Sequence, residues 1–210
     1  MDARCLTVGP LQENCWVVRG ASDRALVVDP GEEAPRILGL VEELGATVEA
    51  ILLTHTHFDH IGAVAPVARA TGAPVYCPQL ETAVLADVNS YTFPGFGPYE
   101  PYDADETVAG GERLELAGLG IDVLFVPGHS PGHVAYSLAD ERAVLSGDVL
   151  FAGSIGRPDL PGGDLDQLLA SIASLMERLP GDTRVLPGHM GATTLERERA
   201  TNPFLQQLHA

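Results

Sequence analysis

The strongest chemical signal in this sequence is a group of three histidines and one aspartate within six residues: His55, His57, Asp59 and His60. The group directly follows the apolar segment 50–53, which predicts a buried strand. Because side chains alternate along a strand, His55 and His57 should point to the same side, and the turn that follows should direct Asp59 and His60 elsewhere. Imidazoles with one carboxylate suit Zn(II), Fe(II) or Mn(II) better than Ca(II) or Mg(II). The group therefore predicts a transition-metal site rather than a polar turn whose histidines only cap and solvate.

Three later apolar segments also end at a glycine, and the next residue is His129, Asp148 or His189. Glycine permits a sharp exit that aims the following side chain back over the sheet end. The seven candidates are too many for one tetrahedral metal and suit two adjacent metals that share a carboxylate. His133 is interpreted as structural or as a contact of a ligand, and His209, next to the C-terminus, as solvated.

The order of these motifs resembles that of the metallo-β-lactamase superfamily. The motifs are His-x-His-x-Asp-His, Pro-Gly-His-Ser-Pro-Gly-His, Ser-Gly-Asp and Pro-Gly-His, preceded by Val-Asp-Pro-Gly at 28–31. Within the superfamily the chain most resembles the short bacterial forms of the glyoxalase II (hydroxyacylglutathione hydrolase) branch. That finer resemblance rests on Gly-Arg-Pro-Asp at 156–159 and Asn-Pro-Phe-Leu at 202–205.

The resemblance implies an α/β fold, the four-layer αββα sandwich, with the ligands on loops at one edge of the two sheets. It also implies a ligand set with two metals: His55, His57 and His129 on the first, Asp59, His60 and His189 on the second, and Asp148 bridging. Asp29 would orient a ligand loop, and Asp59 and Asp148 would act in catalysis. The commonest β-lactamases of this fold have Cys where this chain has Asp148, so the resemblance does not favour antibiotic hydrolysis.

The implied reaction is hydrolysis of a thioester of glutathione or a related low-molecular-weight thiol, of the S-lactoylglutathione to D-lactate type. Two divalent ions, zinc first and iron or manganese as alternatives, would provide a bridging hydroxide. A thioester suits this chemistry because a thiolate leaves without prior protonation. Tyr136 and Arg157 are the candidates for substrate contacts, each with a structural alternative: a core aromatic for Tyr136 and a loop anchor for Arg157. Full-length glyoxalase II enzymes hold their thiol with a further helical domain, which this sequence is expected to lack.

Three other functions stay open at this stage. Persulfide dioxygenases share the fold and the motif order but use one Fe(II) with three protein ligands. A hydrolase of a different ester or lactone is a second alternative, and a metal-binding module without catalysis is a third.

Composition predicts a single domain over residues 1–210 of an ordinary globular protein, with 45% hydrophobic residues. The net charge is −17 and the chain has arginine but no lysine, so nucleic acid and acidic membranes are disfavoured as partners. No secretory signal and no apolar run of about 20 residues is evident. The three cysteines form no Cys-x-x-Cys, which suits a reducing cytoplasm. The expected partner is a small-molecule thioester.

Alternating apolar patterns predict nine strands, at 4–8, 15–19, 25–28, 50–53, 113–116, 121–126, 134–138, 143–145 and 184–186. Helices are predicted at about 35–44 and after an N-cap at Asp164, and a capping box of Thr193 and Glu196 predicts a last one. The segment Tyr91–Tyr102 is rich in aromatic residues, proline and glycine. It predicts a loop that either packs on the core or lines an apolar substrate wall.

Overall fold

The structure is a computed structural model that describes residues 1–206, so His209 lies outside the described residues. The chain divides into two compact units: residues 1–108 with 115–119, and residues 109–114 with the chain from 120 onward. Within residues 1–206, no helix has both the length and the apolar content to cross a bilayer.

The first unit contains a mixed six-stranded sheet in the order β1-β2-β3-β4-β5-β6. Its strands are β1 Asp2–Val8, β2 Glu13–Arg19, β3 Arg24–Val28, β4 Thr47–Leu52, β5 Val75–Pro78 and β6 Glu106–Val108. Its helices are α1 Ala34–Glu43, α2 Phe58–Ile61, α3 Val64–Thr71 and α4 Thr82–Ala86. Buried side chains of the strands, α1 and α3 form one apolar core, which includes Val27, Ile37, Ile51 and Val67.

Strands β3, β4, β5 and β6 of this sheet run parallel to one another. The carboxyl ends of parallel neighbours meet at the same edge of a sheet, so the residues that follow β3, β4 and β5 are neighbours. The register places Val28 beside Leu52 and Leu52 beside Tyr76. The segment that starts at Asp29, after β3, and the segment that starts at Thr54, after β4, therefore lie at the same edge of this sheet.

The second unit contains most residues of a six-stranded sheet in the order β14-β13-β10-β9-β8-β7, and a small hairpin, β11-β12. Its strands are β7 Arg113–Leu116, β8 Leu119–Phe125, β9 Val134–Leu138, β10 Ala143–Gly147, β11 Leu150–Phe151, β12 Ser154–Ile155, β13 Arg184–Pro187 and β14 Thr193–Thr194. Its helices are α5 Leu165–Arg178, α6 Leu195–Thr201 and α7 Pro203–Gln206.

Strands β10 and β13 are parallel, with Gly147 beside Pro187. Asp148 and His189 therefore leave the sheet at the same edge. The β8–β9 connection, which carries His129 and His133, lies at the same edge because β9 runs antiparallel to β10. Leu168 and Ile172 of α5 pack into the apolar core of this unit.

The predicted α/β class is confirmed, and all nine predicted strands form within three residues of their expected bounds. The sequence prediction missed β5, β6, the β11-β12 hairpin and β14, which have two to four residues each. The N-cap at Asp164 is confirmed, because its carboxylate accepts from the Gln167 N–H at 2.9 Å. The prediction of a single domain over 1–210 stays a prediction.

The predicted capping box at Thr193 is wrong by one residue. Thr194 is the N-cap of α6, and its hydroxyl oxygen accepts from the Arg197 N–H at 3.3 Å. Thr193 lies in β14, and its buried hydroxyl donates to Glu198 at 2.5 Å. Two adjacent threonines offer the same local signal and both pair with β13, and the partners of their hydroxyls distinguish them.

Candidate metal centre

The first unit brings its four predicted ligands together after β4: His55 and His57 lie on the turn that leads to α2, and Asp59 and His60 lie in α2 itself. The Nε2 of His55 lies 3.1 Å from the Nδ1 of His57, and their rings meet edge to face. The Nε2 of His60 lies 4.0 Å from a carboxylate oxygen of Asp59. His55 and His60 are fully buried, whereas His57 and Asp59 are partly exposed.

Asp29, directly after β3, holds this turn from the neighbouring strand. Its Oδ1 accepts the Thr54 N–H at 2.7 Å, and its Oδ2 accepts the Thr54 hydroxyl at 2.6 Å. The same Oδ2 lies 3.2 Å from the Nδ1 of His60. Asp29 has a left-handed backbone, with φ 49°, which aspartate tolerates better than most residues. Its position fits the predicted role of orienting a ligand loop.

These hydrogen bonds determine which imidazole nitrogen keeps its lone pair. A carboxylate only accepts, so the Nδ1 of His60 carries a proton and its Nε2 keeps the lone pair. The Thr54 hydroxyl has one proton, which goes to Asp29. Thr54 therefore accepts from the Nδ1 of His55 at 3.1 Å, which leaves the His55 Nε2 with its lone pair.

In the second unit one carboxylate oxygen is equally distant from two histidines. Oδ2 of Asp148 is 3.5 Å from the Nε2 of His129 and 3.5 Å from the Nε2 of His189. The backbone reaches this geometry through glycine: φ is 128° at Gly128 and 49° at Gly147, which precede His129 and Asp148. Gly188, which precedes His189 within the described residues, does not have a positive φ. The predicted sharp turn at glycine is therefore found before His129 and Asp148 but not before His189.

Backbone contacts fix the orientation of His129. Its Nδ1 lies 2.9 Å from the carbonyl oxygen of Arg157. A carbonyl only accepts, so Nδ1 carries the proton and Nε2 points its lone pair towards Asp148. Gly156 allows this close approach, because a Cβ there would lie 1.9 Å from the Asp148 carbonyl oxygen and 3.1 Å from the His129 Nδ1.

His133 uses its Nε2 for the protein backbone. That nitrogen accepts the Asp148 N–H at 3.0 Å, and the side chain is fully buried. His133 therefore has the opposite tautomer from His129, with the proton on Nδ1. A nitrogen that already accepts from the backbone has no lone pair for a metal, which fits the interpretation of His133 as a support for Asp148.

The donor set fits divalent metals. Two nitrogen ligands at 2.0–2.1 Å from a tetrahedral ion are about 3.4 Å apart, as are a nitrogen and an oxygen ligand. The 3.1 Å and 3.5 Å separations above are close to this value. One cluster of donor atoms within 4.8 Å of one another includes Asp29, His55 and His60. Neutral imidazoles with lone pairs on Nε2 beside carboxylates are the ligands that zinc, iron and manganese accept.

The two candidates for substrate contacts differ in exposure. Tyr136 is fully buried in β9, so its ring has no surface for a substrate, and the structure favours the alternative of a core aromatic. We therefore withdraw Tyr136 as a candidate. The side chain of Arg157 is exposed and forms a two-point ion pair with Asp159, at 3.0 and 2.8 Å. This pairing raises the pKa of Arg157 and lowers the pKa of Asp159.

Part of the segment Tyr91–Tyr102 packs on the core, which was one of its two predicted roles, and the other role, an apolar substrate wall, stays a prediction. Phe96, Tyr99 and Tyr102 pack on the core of the first unit. The Tyr99 hydroxyl donates to Glu32 at 2.7 Å, and the pKa of Tyr99 is raised by burial first and by that carboxylate second. Tyr91 and Phe93 are exposed, and Phe93 meets Phe58 edge to face at 5.4 Å between ring centroids. Phe58 lies between His57 and Asp59, so the loop borders the ligand turn.

Sequence reasoning missed several polar residues around this turn: Glu13, Thr54, Thr56 and Glu81. Glu13 is buried, with one carboxylate oxygen 3.7 Å from the His60 Nδ1. Glu81 is buried and accepts the Thr56 hydroxyl at 2.6 Å. The local sequence signal before Glu81 is the apolar run 75–77, which is too short to predict a strand.

The two buried cysteines are poor nucleophiles. Burial raises the pKa of Cys15 and of Cys77, and both side chains are inaccessible. The thiolate is the reactive form of cysteine, so both thiols are inert in the folded protein.

Comparison with known proteins defines the class of this protein. Residues 8–189 match the metallo-beta-lactamase superfamily, and the chain belongs to that superfamily. The predicted fold is thereby confirmed as the metallo-beta-lactamase fold. Its members bind divalent metals, and the His and Asp cluster above is a candidate for such binding.

Several relatives match nearly the whole chain. The Probable metallo-hydrolase YqgX of Bacillus subtilis is 42% identical over 98% of both chains. Hydroxyacylglutathione hydrolase GloC of Haemophilus influenzae is 32% identical, also over 98% of both. This chain is therefore similar to proteins named as hydrolases.

Solved structures extend the comparison. BLEG-1, titled a B3 metallo-beta-lactamase, is 39% identical with a TM-score of 0.92, over 97% of this chain and 99% of that one. TTHA1623 in a di-iron-bound form is 43% identical with a TM-score of 0.79, over 96% and 100%. ETHE1 from Myxococcus xanthus is 28% identical with a TM-score of 0.78, over 97% and 84%. Members similar to this chain therefore differ in their names, and one of them is described with two iron ions.

Proposed function

We propose that this protein is a metal-dependent hydrolase of thioesters formed by glutathione or a related low-molecular-weight thiol. The main observation that supports this proposal is the position of the Asp148 Oδ2, which lies 3.5 Å from the Nε2 of His129 and 3.5 Å from the Nε2 of His189. An oxygen placed equally between two imidazole nitrogens suits a carboxylate shared by two metals. The likeness to Hydroxyacylglutathione hydrolase GloC supports the thioester class.

The proposed ligand set is the one that the sequence predicted: His55, His57 and His129 for one ion, Asp59, His60 and His189 for the other, and Asp148 for both. Zinc is the first choice, with iron or manganese as alternatives, and the di-iron form of TTHA1623 supports two metal positions. When bound, two such ions supply hydroxide from water near neutral pH and polarise the scissile carbonyl.

The protein's own contribution is orientation of the donors before the substrate arrives. Arg157, Thr54 and Asp29 hold the Nδ1 atoms of His129, His55 and His60. Each of these imidazoles is thereby fixed in the tautomer that presents Nε2. A thioester needs no general acid for its leaving group, because a thiolate departs without prior protonation. Arg157 is the one remaining candidate for a carboxylate of the thiol carrier.

A panel of thioesters tests this proposal directly. Protein loaded with zinc, iron or manganese is offered lactoyl and other acyl thioesters of glutathione, coenzyme A and further thiols. Release of free thiol is followed with a thiol reagent. Metal-dependent release from at least one low-molecular-weight thioester is the expected result. No release from any carrier by metal-replete protein contradicts the proposed function.

The second candidate function is a persulfide dioxygenase-like oxidoreductase, which the similarity to ETHE1 keeps open. Oxygen consumption with a persulfide substrate by protein that holds one iron per chain favours this candidate. The hydrolase proposal expects no oxygen uptake and two metals per chain.

The similarity to BLEG-1 makes β-lactam hydrolysis a third activity to measure. Asp148, at the position where the commonest β-lactamases of this fold have Cys, predicts that this activity is weak. Hydrolysis of a chromogenic cephalosporin by the same metal-loaded protein measures it. We expect turnover far below that of the best thioester.

A further inference from the structure

Glu81 is a buried acidic residue next to the predicted ligands, and none of the roles above involves it. It lies in a short 3₁₀ turn between β5 and α4, and its side chain is 4% exposed. Its Oε2 accepts the hydroxyl of Thr56 at 2.6 Å, and its carbonyl oxygen lies 3.4 Å from the same hydroxyl. Thr56 is the residue between His55 and His57.

The parallel sheet explains how this carboxylate reaches the ligand turn. Asp29 follows β3, the turn follows β4 and Glu81 follows β5, so two carboxylates flank the turn from neighbouring strands. Each carboxylate accepts a hydrogen bond from one threonine hydroxyl at 2.6 Å. Asp29 accepts from Thr54, and Glu81 accepts from Thr56. Thr54 directly precedes His55, and Thr56 lies between His55 and His57, so each of these contacts holds the backbone next to a predicted ligand.

The segment needs such contacts because it extends beyond the strand. The β4 ladder ends with the Leu53 N–H, which donates to the Tyr76 carbonyl oxygen at 2.9 Å. From Thr54 onward the two carboxylates add contacts to this turn: the Thr54 N–H donates to Asp29, and the Thr56 hydroxyl donates to Glu81. A short bond from a hydroxyl to a carboxylate is charge-assisted and stronger than a neutral one.

We propose that Glu81 is a positioning residue of the metal centre. Through the Thr56 hydroxyl it fixes the backbone between His55 and His57, and so holds the two imidazoles at the separation that one ion requires. Asp29 does the same from the other side for His55 and His60. This inference rests on the proposed metal-dependent function.

A purely structural role for the bond is the alternative, and the chain contains a matched control. Thr193 donates to the fully buried Glu198 at 2.5 Å, in β14 and α6. Thr193→Val removes a buried threonine–glutamate bond of the same kind without touching a predicted ligand. Thr56→Val removes the one on the ligand turn, and Thr56→Ser keeps the hydroxyl.

The experiment measures zinc affinity by competition with a chromophoric chelator, the visible spectrum of the Co(II)-loaded protein and the melting temperature of the metal-free protein. Thr56→Val should weaken metal affinity about 10–100-fold and shift the Co(II) bands. Thr56→Ser and Thr193→Val should keep the affinity and the spectrum, although Thr193→Val lowers the melting temperature. Glu81→Ala should match Thr56→Val, and the double variant should lose no more than either, because both remove the same contact.

The outcomes separate this inference from the proposed function. If the unsubstituted protein binds metal but Thr56→Val keeps its affinity and spectrum, the positioning role of Glu81 is overturned while the metal centre stands. Equal losses in Thr56→Val and Thr193→Val overturn it as well, since they report general destabilisation. If the unsubstituted protein binds no metal, the proposed function fails and this inference fails with it.

Discussion

The Nε2 of His133 accepts the backbone N–H of Asp148 at 3.0 Å. A buried imidazole therefore supports the residue proposed to bridge the metals, and does so from the β8–β9 connection that also carries His129. His133→Ala leaves a buried N–H without its acceptor, which costs about 1–3 kcal/mol of unfolding free energy. Metal affinity should fall about 10–100-fold while the number of metals at saturation stays the same.

Urea unfolding and metal titration of this variant check both statements. His133→Asn, which keeps a polar side chain near the same place, serves as a comparison and should lose less stability. Loss of one whole metal from His133→Ala would show that His133 is itself a ligand.

Asp148→Asn addresses the shared carboxylate directly. The amide keeps the shape of the side chain but removes the charge that two cations would share. We expect metal content to fall at both positions and hydrolysis to be abolished, with a larger loss of affinity than the about 10–100-fold typical of supporting residues. Metal analysis after gel filtration measures the content. A metal-replete and fully active variant refutes the bridging role.

A substitution at Gly156 tests the close packing next to Asp148 and His129. A Cβ at this position would lie 1.9 Å from the Asp148 carbonyl oxygen and 3.1 Å from the His129 Nδ1. Gly156→Ala must therefore displace the backbone next to both ligands. The expected cost is at least about 1–3 kcal/mol of stability, with reduced metal content. Thermal unfolding and metal analysis measure the two effects.

The matched control is Gly191→Ala, two residues after His189. A Cβ there meets no heavy atom within 4 Å, so stability and metal content should be unchanged. Equal behaviour of the two alanine variants would contradict the account of this packing.

The backbone and the side chain of Arg157 have different proposed roles, and a substitution can test them separately. Its carbonyl oxygen holds His129, whereas its guanidinium is exposed and pairs with Asp159. Arg157→Ala keeps the carbonyl, so metal content should not change. If the guanidinium holds a carboxylate of the thiol carrier, KM for a glutathione thioester should rise several-fold while kcat changes little.

Asp159→Asn is the control for this variant, because it removes the pairing but keeps the cation, and its KM should not rise. An unchanged KM in Arg157→Ala leaves Arg157 as a loop anchor only. A loss of metal in Arg157→Ala would contradict the separation of the two roles.

Local patterns in the sequence predicted most of the fold and the candidate ligands. The histidine run could be predicted because all its members are close in sequence. Asp148 could be predicted because it follows an apolar strand and a glycine. What the sequence did not reveal depends on contacts between distant segments. Glu81 lies 25 residues from Thr56, after a strand of four residues that ends in proline, too short to be recognised.

Tyr136 illustrates the same limit in the second unit. Strand β9 is buried along its whole length, so the alternation that would separate a core tyrosine from an exposed one is lost. Thr193 and Thr194 likewise present one capping signal, and the contact of the Thr193 hydroxyl with Glu198 leaves Thr194 as the N-cap. Tertiary packing determines these features, so the local sequence does not predict them.

The number of divalent metals bound per chain tests the central claim most directly. Purified protein is stripped with a chelator, titrated with Zn(II), freed of excess ion and measured by elemental analysis against protein concentration. The shared position of Asp148 between His129 and His189 predicts two zinc ions per chain at saturation. Saturation at one ion, or no retained metal, would contradict the account.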